Sequence, residues 1–258
     1  MSRTGALAKS AFVSLWLPTL CIGAWWLLSA GSTSSVFPPL SEILLAFKDD
    51  WLFAHFTSDF LPSARVALEA LVISLVVGVG LGTPLGSNAT AERAFRPLLD
   101  FLRAIPKVLL ISPALLIIGI GENLSLFVLV AGAVWPILLA TIDGVRGIAP
   151  NLHDLRRVYK LSRRDWFTRV ALRAASPQIM AGTRTSLSLL VVLLVAAEAV
   201  GATRGIGFQI RQDADGFQFA QVWAALFAFG LLGYIFNRLF RLVEARVLVW
   251  VNGQGATR

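Results

Sequence analysis

The sequence predicts an all-α membrane protein, a polytopic bundle of about six transmembrane helices, and three observations carry the prediction. Hydrophobic residues make up 56% of the chain against 15% charged, with a mean hydropathy of +0.72, a balance that water does not solvate around an ordinary compact domain. Long apolar runs recur along the chain, and Lys and Arg gather beside alternate ones. With a hydrocarbon core of ~30 Å and a rise of ~1.5 Å per residue, each crossing needs ~20 residues, so the 258 residues hold about six crossings and short connections. Residues 1–258 are read as a single transmembrane domain.

The first apolar segment, about 11–30, follows Arg3 and Lys9. It runs too long for a signal-peptide core and lacks a small-residue cleavage site, so it reads as a retained helix. Cys21, the chain's one cysteine, lies inside it, which rules out an internal disulfide or zinc framework. The stretch 31–64 opens on small polar residues and Pro38-Pro39 and then turns amphipathic through Trp51 and Phe56, as expected of a segment lying along the outer interface. The second crossing, 66–87, holds Gly78, Gly80, Gly82 and Pro84, and the third, 105–120, holds Pro106 and Pro113. Both are expected to be irregular or kinked, sheltered by neighbouring helices. The remaining crossings are 122–142, 183–203 and 219–240.

Orientation follows from the basic residues. With both termini in the cytoplasm, only Lys48, Arg65, Arg204 and Arg211 of the 23 Lys and Arg fall on the external side, where Glu42, Asp49, Asp50, Asp59, Glu122, Asp213 and Asp215 also lie. That is the positive-inside asymmetry of a multi-pass inner-membrane protein. The net charge of +8 therefore reads as a bilayer signal, and with no stacking-aromatic groove evident, nucleic acid is excluded as a partner.

The connection 143–182 is cytoplasmic in this orientation and rich in Arg. Asn151 is expected to cap a short helix with Leu152, Leu155 and Tyr159 on one apolar face; after Ser162 a second helix places Trp166, Phe167 and Val170 on one side until Pro177 interrupts it. Two uses fit this pattern: a transverse helix offered to a soluble partner, or a basic amphipathic loop resting on anionic lipid.

Glu198 is the one carboxylate deep within an apolar run. Such a charge faces a cavity or a partner, so Glu198 either lines or gates a path or pairs with Arg204. Thr183, Thr185, Ser186 and Ser188 make the start of the fifth crossing rich in hydroxyls, suited to bonding a solute or to bonding across helices. Ser125 and Trp135, with Asn123, are further candidates for a translocation path, and Lys107 is expected to snorkel to the interface. His55 and His153 fall on opposite sides, and no catalytic or metal-ligating cluster is visible; the chain does not read as an enzyme.

Several segments together resemble the binding-protein-dependent importer permeases of the nitrate, sulfonate and taurine group. They are Arg103-Ala104-Ile105-Pro106 with Ser112-Pro113, Gly119-Ile120-Gly121-Glu122, the register of 154–177, Ala197-Glu198 followed by Gly205-Ile206-Gly207, and the closing stretch from Arg246 to Trp250. The resemblance covers about 60–250. It implies the type I importer permease fold, like that of the methionine importer, and a complex of two permeases, a second copy or a paralogue of this chain, with two ATPases. It further implies that 151–170 docks on the ATPase, with Asp154, Leu155, Arg156, Tyr159, Lys160, Leu161 and Ser162 in the contact, and that an external solute-binding protein delivers a small solute such as a sulfonate, taurine or nitrate. ATP and magnesium would belong to the ATPase, consistent with the lack here of a Gly-x-x-x-x-Gly-Lys-Ser/Thr phosphate loop.

The chain departs from that pattern where the family's loop begins Glu-Ala-Ala and reaches a glycine six residues after the Glu: here stand Asp154, Leu155, Arg156 and then Lys160. Arg173 also replaces a proline. A glycine would permit a positive-φ turn that lysine adopts only at some cost. An ion-coupled secondary transporter and a non-transporting membrane scaffold are the alternative readings from residue pattern alone.

Overall fold

A computed structural model describes residues 3–252; for 3–15, 150, 153, 155, 157, 163, 251 and 252 it describes the backbone alone. Every regular element among the described residues is helical. Helix α1 (Arg3–Ser29) is followed by the short α2 (Leu40–Ala46), and then by two π-helical stretches, Phe47–Ala54 and Phe56–Phe60, which lead without a loop into α3 (Leu61–Ser87). Helix α4 (Ala89–Ala104), a 3-10 turn (Lys107–Leu110) and α5 (Ile111–Ile118) precede α6 (Glu122–Arg146). Next come α7 (Pro150–Val158), the single turn α8 (Arg163–Asp165) and a π-helical turn (Trp166–Ala171) that runs into α9 (Leu172–Gly201). Helices α10 (Ile206–Asp215), α11 (Phe219–Val247) and α12 (Val249–Asn252) complete the chain.

Four of these helices are long and apolar enough to cross a membrane: Phe56–Ser87, Glu122–Arg146, Trp166–Gly201 and Phe219–Val247. The expected third crossing is broken. Helix α4 and the segment Lys107–Ile118 meet at 84°, so together they form a fifth span or a re-entrant loop. In α1 the described apolar stretch is Trp16–Ser29. The break sits where the sequence requires it, since Ile105 precedes a proline and takes an extended conformation, with φ −66° and ψ 123°.

Pro106 has no N–H for the carbonyl of Leu102, four residues before it. The Lys107 ammonium takes that carbonyl instead, at 2.5 Å, and lies 5.2 Å from the centre of the Trp135 ring. Lys107 thereby supplies the donor that the broken helix lacks. Pro177, expected to interrupt a helix, lies inside α9, and the Arg173 carbonyl that it leaves without an N–H receives the Ser176 hydroxyl at 2.8 Å. Helix α3 likewise continues through its glycines and Pro84. Gly78 and Gly82 serve packing: a Cβ on Gly78 would lie 2.8 Å from Ile137 Cγ2 and one on Gly82 2.7 Å from Thr141 Cβ, so these small residues let α3 and α6 approach, whereas Gly80 faces open space.

Helix α6 lies at the centre, packed chiefly between α3 and α9. Leu124, Val128, Leu129, Ala133, Leu190 and Leu194 are fully buried there and form the middle of the main apolar cluster. The Ser186 hydroxyl crosses from α9 to the Ala133 carbonyl of α6 at 2.5 Å, which is the interhelical use of that hydroxyl-rich stretch. The stretch 31–60 is mostly helical; Trp51 is buried, and α2 and the first π-helical stretch rest on α11. An aromatic group of Trp25, Phe37, Trp223 and Phe227 ties α1 to α11.

Candidate functional site

The Arg-rich connection is not an open loop, because α6 extends to Arg146 and α9 is entered from Trp166. Pro150 occupies the first turn of α7, where its missing N–H is no loss, and Leu152 N bonds Ala149 O at 3.0 Å. Asn151 thus lies inside the helix and does not cap it. Leu152, Leu161, Phe167 and Val170 pack against Val145, Ile148, Trp166, Ala171 and Ala175, while the Arg156 guanidinium lies 5.7 Å from the Trp166 ring. These contacts hold one side of α7 against the bundle. The Leu155 side chain lies outside the described residues.

Tyr159 is not on that buried face. It and Val158 are 69% and 74% exposed at the end of the helix, with Asp154 and Lys160 also exposed. The chain reverses here because Lys160 takes φ 48°, and Leu161 N reaches back to Arg156 O at 3.1 Å. This is the left-handed helix stop that glycine usually supplies, made here with lysine. Ser162 then starts the next helix: its Oγ accepts Asp165 N at 3.1 Å and donates to Asp165 Oδ2 at 2.6 Å. A cleft of about 670 Å³ between the α3–α4 turn, the end of α6 and Trp166 lies behind α7, lined in part by Arg146 and Arg156. The carboxylate of Glu92, 4% exposed, holds Arg146 at 2.9 Å and Arg96 at 3.1 Å, so α4 is fastened to the same end of α6.

The opposite end of the bundle is organised by Glu198, which is 3% exposed. The Ser63 hydroxyl lies 2.7 Å from its Oε1, and Gly207 N donates to its Oε2 at 2.9 Å. Ser63 Oγ also accepts Ile206 N at 2.9 Å, and Asp59 Oδ1 accepts Gly205 N at 2.8 Å. Three side chains from two helices therefore take the first three amides at the start of α10, where unpaired N–H groups and the positive end of the helix dipole favour acidic and hydroxyl oxygens.

Gly205 has φ 120°, and a Cβ there would stand 2.6 Å from the Glu198 carboxyl carbon. The glycine is required on both counts. Beside it, His55 Nδ1 lies 2.8 Å from Asp59 Oδ2 and 2.9 Å from Gln209 Nε2. Asp213 sits near these groups; burial, with the charges of Asp50 and Asp59, pushes its carboxyl up to about 6 against a partial counter-effect from His55.

Glu198 does not pair with Arg204. Arg204 Nε bonds Glu122 Oε1 at 2.6 Å, and Arg65 holds the other oxygen of Glu122. The reason is register: Glu198 points inward from α9, whereas Arg204 follows the Ala202 break and stays exposed. Among the other path candidates, Thr185 and Ser188 are exposed on α9 and bond their own helix, at 3.2 Å to Ala181 O and 3.3 Å to Arg184 O. Ser125 is buried, with no hydrogen-bond partner for its hydroxyl among the described residues. Trp135 carries the Lys107 contact and lines an apolar cavity with Phe95 and Leu99. Ser63, Asp59 and Glu92 were not singled out by sequence; His55, Asp59 and Ser63 recur at four-residue spacing, which is the signal that would have marked them as one helix face.

The family model of the binding-protein-dependent transport system inner membrane component matches residues 74–249. A putative aliphatic sulfonates transport permease of Bacillus subtilis is 27% identical over 244 residues, covering 92% of this chain and 87% of its own. A nitrate import permease of Leptolyngbya laminosa is 31% identical over 184 residues, covering 71% and 66%. A solved inward-facing structure of the MetNI methionine ABC transporter shares the fold, with a TM-score of 0.63 at 19% identity over 73% of this chain and 94% of that one. With its apolar spans and this match, the chain belongs to the family of binding-protein-dependent transport system inner membrane components and is a multi-pass permease subunit of an ATP-binding-cassette importer.

Proposed function

We propose that the chain is a single permease domain that imports a small anion, working as one of two permeases, identical or paralogous, above two separate ATPase subunits that carry ATP and magnesium. In this reading both termini are cytoplasmic, as the distribution of basic residues favours. An external solute-binding protein delivers the solute at the end that carries α10. The ATPase contact is 151–170, with Asp154, Leu155, Arg156, Tyr159, Lys160, Leu161 and Ser162 at its centre.

One observation carries the coupling assignment: α7 is anchored on Trp166 through one side while Val158 and Tyr159 project at its tip. Two exposed apolar residues at the end of a rigidly mounted helix suit a groove on a partner better than they suit water. Closure of the ATPase pair would then move α7 together with the end of α6 through the packed cluster behind it. Glu198, satisfied by Ser63 and Gly207, belongs to the scaffold in this reading, and Thr185 and Ser188, exposed on α9, belong to the path. The anion assignment is supported by the sulfonate, nitrate and bicarbonate named for relatives.

The test is affinity purification of the chain from detergent-solubilised membranes, with ATPase assay and identification of co-eluting proteins. A nucleotide-binding subunit is expected to co-elute and to be lost in the Asp154→Ala/Tyr159→Ala double variant. Elution of the chain alone, under conditions that preserve other membrane complexes, would overturn the reading.

A further inference from the structure

Between α9 and α11 lies a cavity of about 570 Å³, lined by Arg184, Ser188, Asn237 and Arg241 over an apolar floor that includes Leu187 and Val191. Its size is that of a small-molecule site. These residues lie on the long helices Trp166–Gly201 and Phe219–Val247, with Arg184 at the start of the fifth crossing and Arg241 just past the end of the sixth, at one membrane interface. Arg184, Ser188, Asn237 and Arg241 are nevertheless exposed at the surface of the single chain. Guanidinium and amide groups at that boundary face water, a polar headgroup or a ligand.

The two arginines differ in their partners. Arg184 is held by Glu244 and lies 6.0 Å from the Phe240 ring, so its plane is positioned before any ligand arrives. One carboxylate does not use up its five N–H donors. Arg241 forms no ion pair among the described residues. Against the single carboxylate of Glu244 the two guanidiniums leave an excess of positive charge, and the Asn237 amide adds neutral donors. Ser188 turns its hydroxyl along its own helix and contributes little. A fork of planar donors with surplus positive charge over an apolar floor matches an oxyanion carrying a short apolar group.

We infer that the α9–α11 cavity, through Arg184, Arg241 and Asn237, binds an oxyanion. The ligand is either the phosphate of an anionic lipid headgroup or a free anion such as a sulfonate. The inference rests on the chain's being a membrane permease and not on the identity of its solute. It assigns a ligand role to Arg184, Asn237 and Arg241, which lie away from both α7 and the Glu198 cluster.

The experiment uses the full chain in neutral detergent, with wild type and Arg241→Gln compared in two measurements. In native mass spectrometry, phosphatidylglycerol and phosphatidylcholine are added separately; in calorimetry, ethanesulfonate is titrated without anionic lipid. Thermal melting checks that the variant is folded. Arg184→Lys, which keeps a cation beside Glu244 but loses the fork, and Asn237→Leu provide the same reading should Arg241→Gln fail to fold.

Loss of one charged donor is expected to weaken the bound oxyanion about tenfold. A tenfold loss of phosphatidylglycerol with phosphatidylcholine unchanged supports the site and identifies the headgroup as its ligand. A tenfold loss of ethanesulfonate affinity supports it and identifies the free anion. The inference is overturned when neither probe binds the wild type, or when the folded variants retain both probes as the wild type does.

Discussion

Ser63 of α3 joins Glu198 of α9 to the start of α10: its hydroxyl lies 2.7 Å from Glu198 Oε1 and accepts the Ile206 amide at 2.9 Å. One small side chain thus satisfies two buried groups from distant parts of the sequence. Ser63→Ala leaves both short of a partner, at a cost of about 1–3 kcal/mol for each group left unsatisfied. A lowered melting temperature of the purified chain is expected; an unchanged one would mean that the bridge adds nothing.

Gly205→Ala attacks the same bracket from the other side, placing a Cβ against the Glu198 carboxyl at a φ of 120°. The loss is expected to exceed that of Ser63→Ala. Because both changes displace Glu198, the double variant should lose less than the two single effects added together. Full additivity in thermal melts would show that the two contacts are independent.

At the other end of the bundle, Lys160 adopts φ 48° to close α7. Lys160→Gly removes the strain of a side chain in the left-handed region, and the net gain is about 1 kcal/mol at most because glycine also loosens the unfolded chain. Slower hydrogen exchange at the Leu161 amide, which bonds Arg156 O, is the expected readout.

Val158 and Tyr159 project, exposed, from the α7 tip. Tyr159→Ala and Val158→Asp are expected to reduce ATP-driven uptake about tenfold or more while leaving the melting temperature of the isolated chain unchanged. A parallel fall in stability would assign these residues to the fold instead of to the ATPase contact.

Asp213 sets a pH dependence. Its carboxyl is raised from 3.8 to about 6 by burial first and then by Asp50 and Asp59, so the folded chain holds a proton that the unfolded chain has released. Stability from this group is therefore greatest below about 4 and is lost as the pH rises through about 6. Asp213→Asn should melt higher than wild type at pH 8, with the difference vanishing near pH 4. A constant difference across that range would exclude Asp213 as its source.

By itself the sequence determined the all-helical membrane class, most crossing positions and the break before Pro106, because these follow from local apolar length and from proline's missing N–H. It also placed Trp166, Phe167 and Val170 on one side of a helix, whereas the structure decided that Lys160 makes the left-handed turn where the resembling family has a glycine. Other features were decided only in three dimensions. Pro177 does not end its helix, because Ser176 supplies the donor that the Arg173 carbonyl lacks. Glu198 is separated from Ser63 by 135 residues, and no local pattern specifies that their helices meet. Arg204, six positions from Glu198, instead joins Glu122, because the chain turns at Ala202 and carries the guanidinium to the surface. Helix and break are written in neighbouring residues; the partner of a buried charge is chosen by which helices pack together.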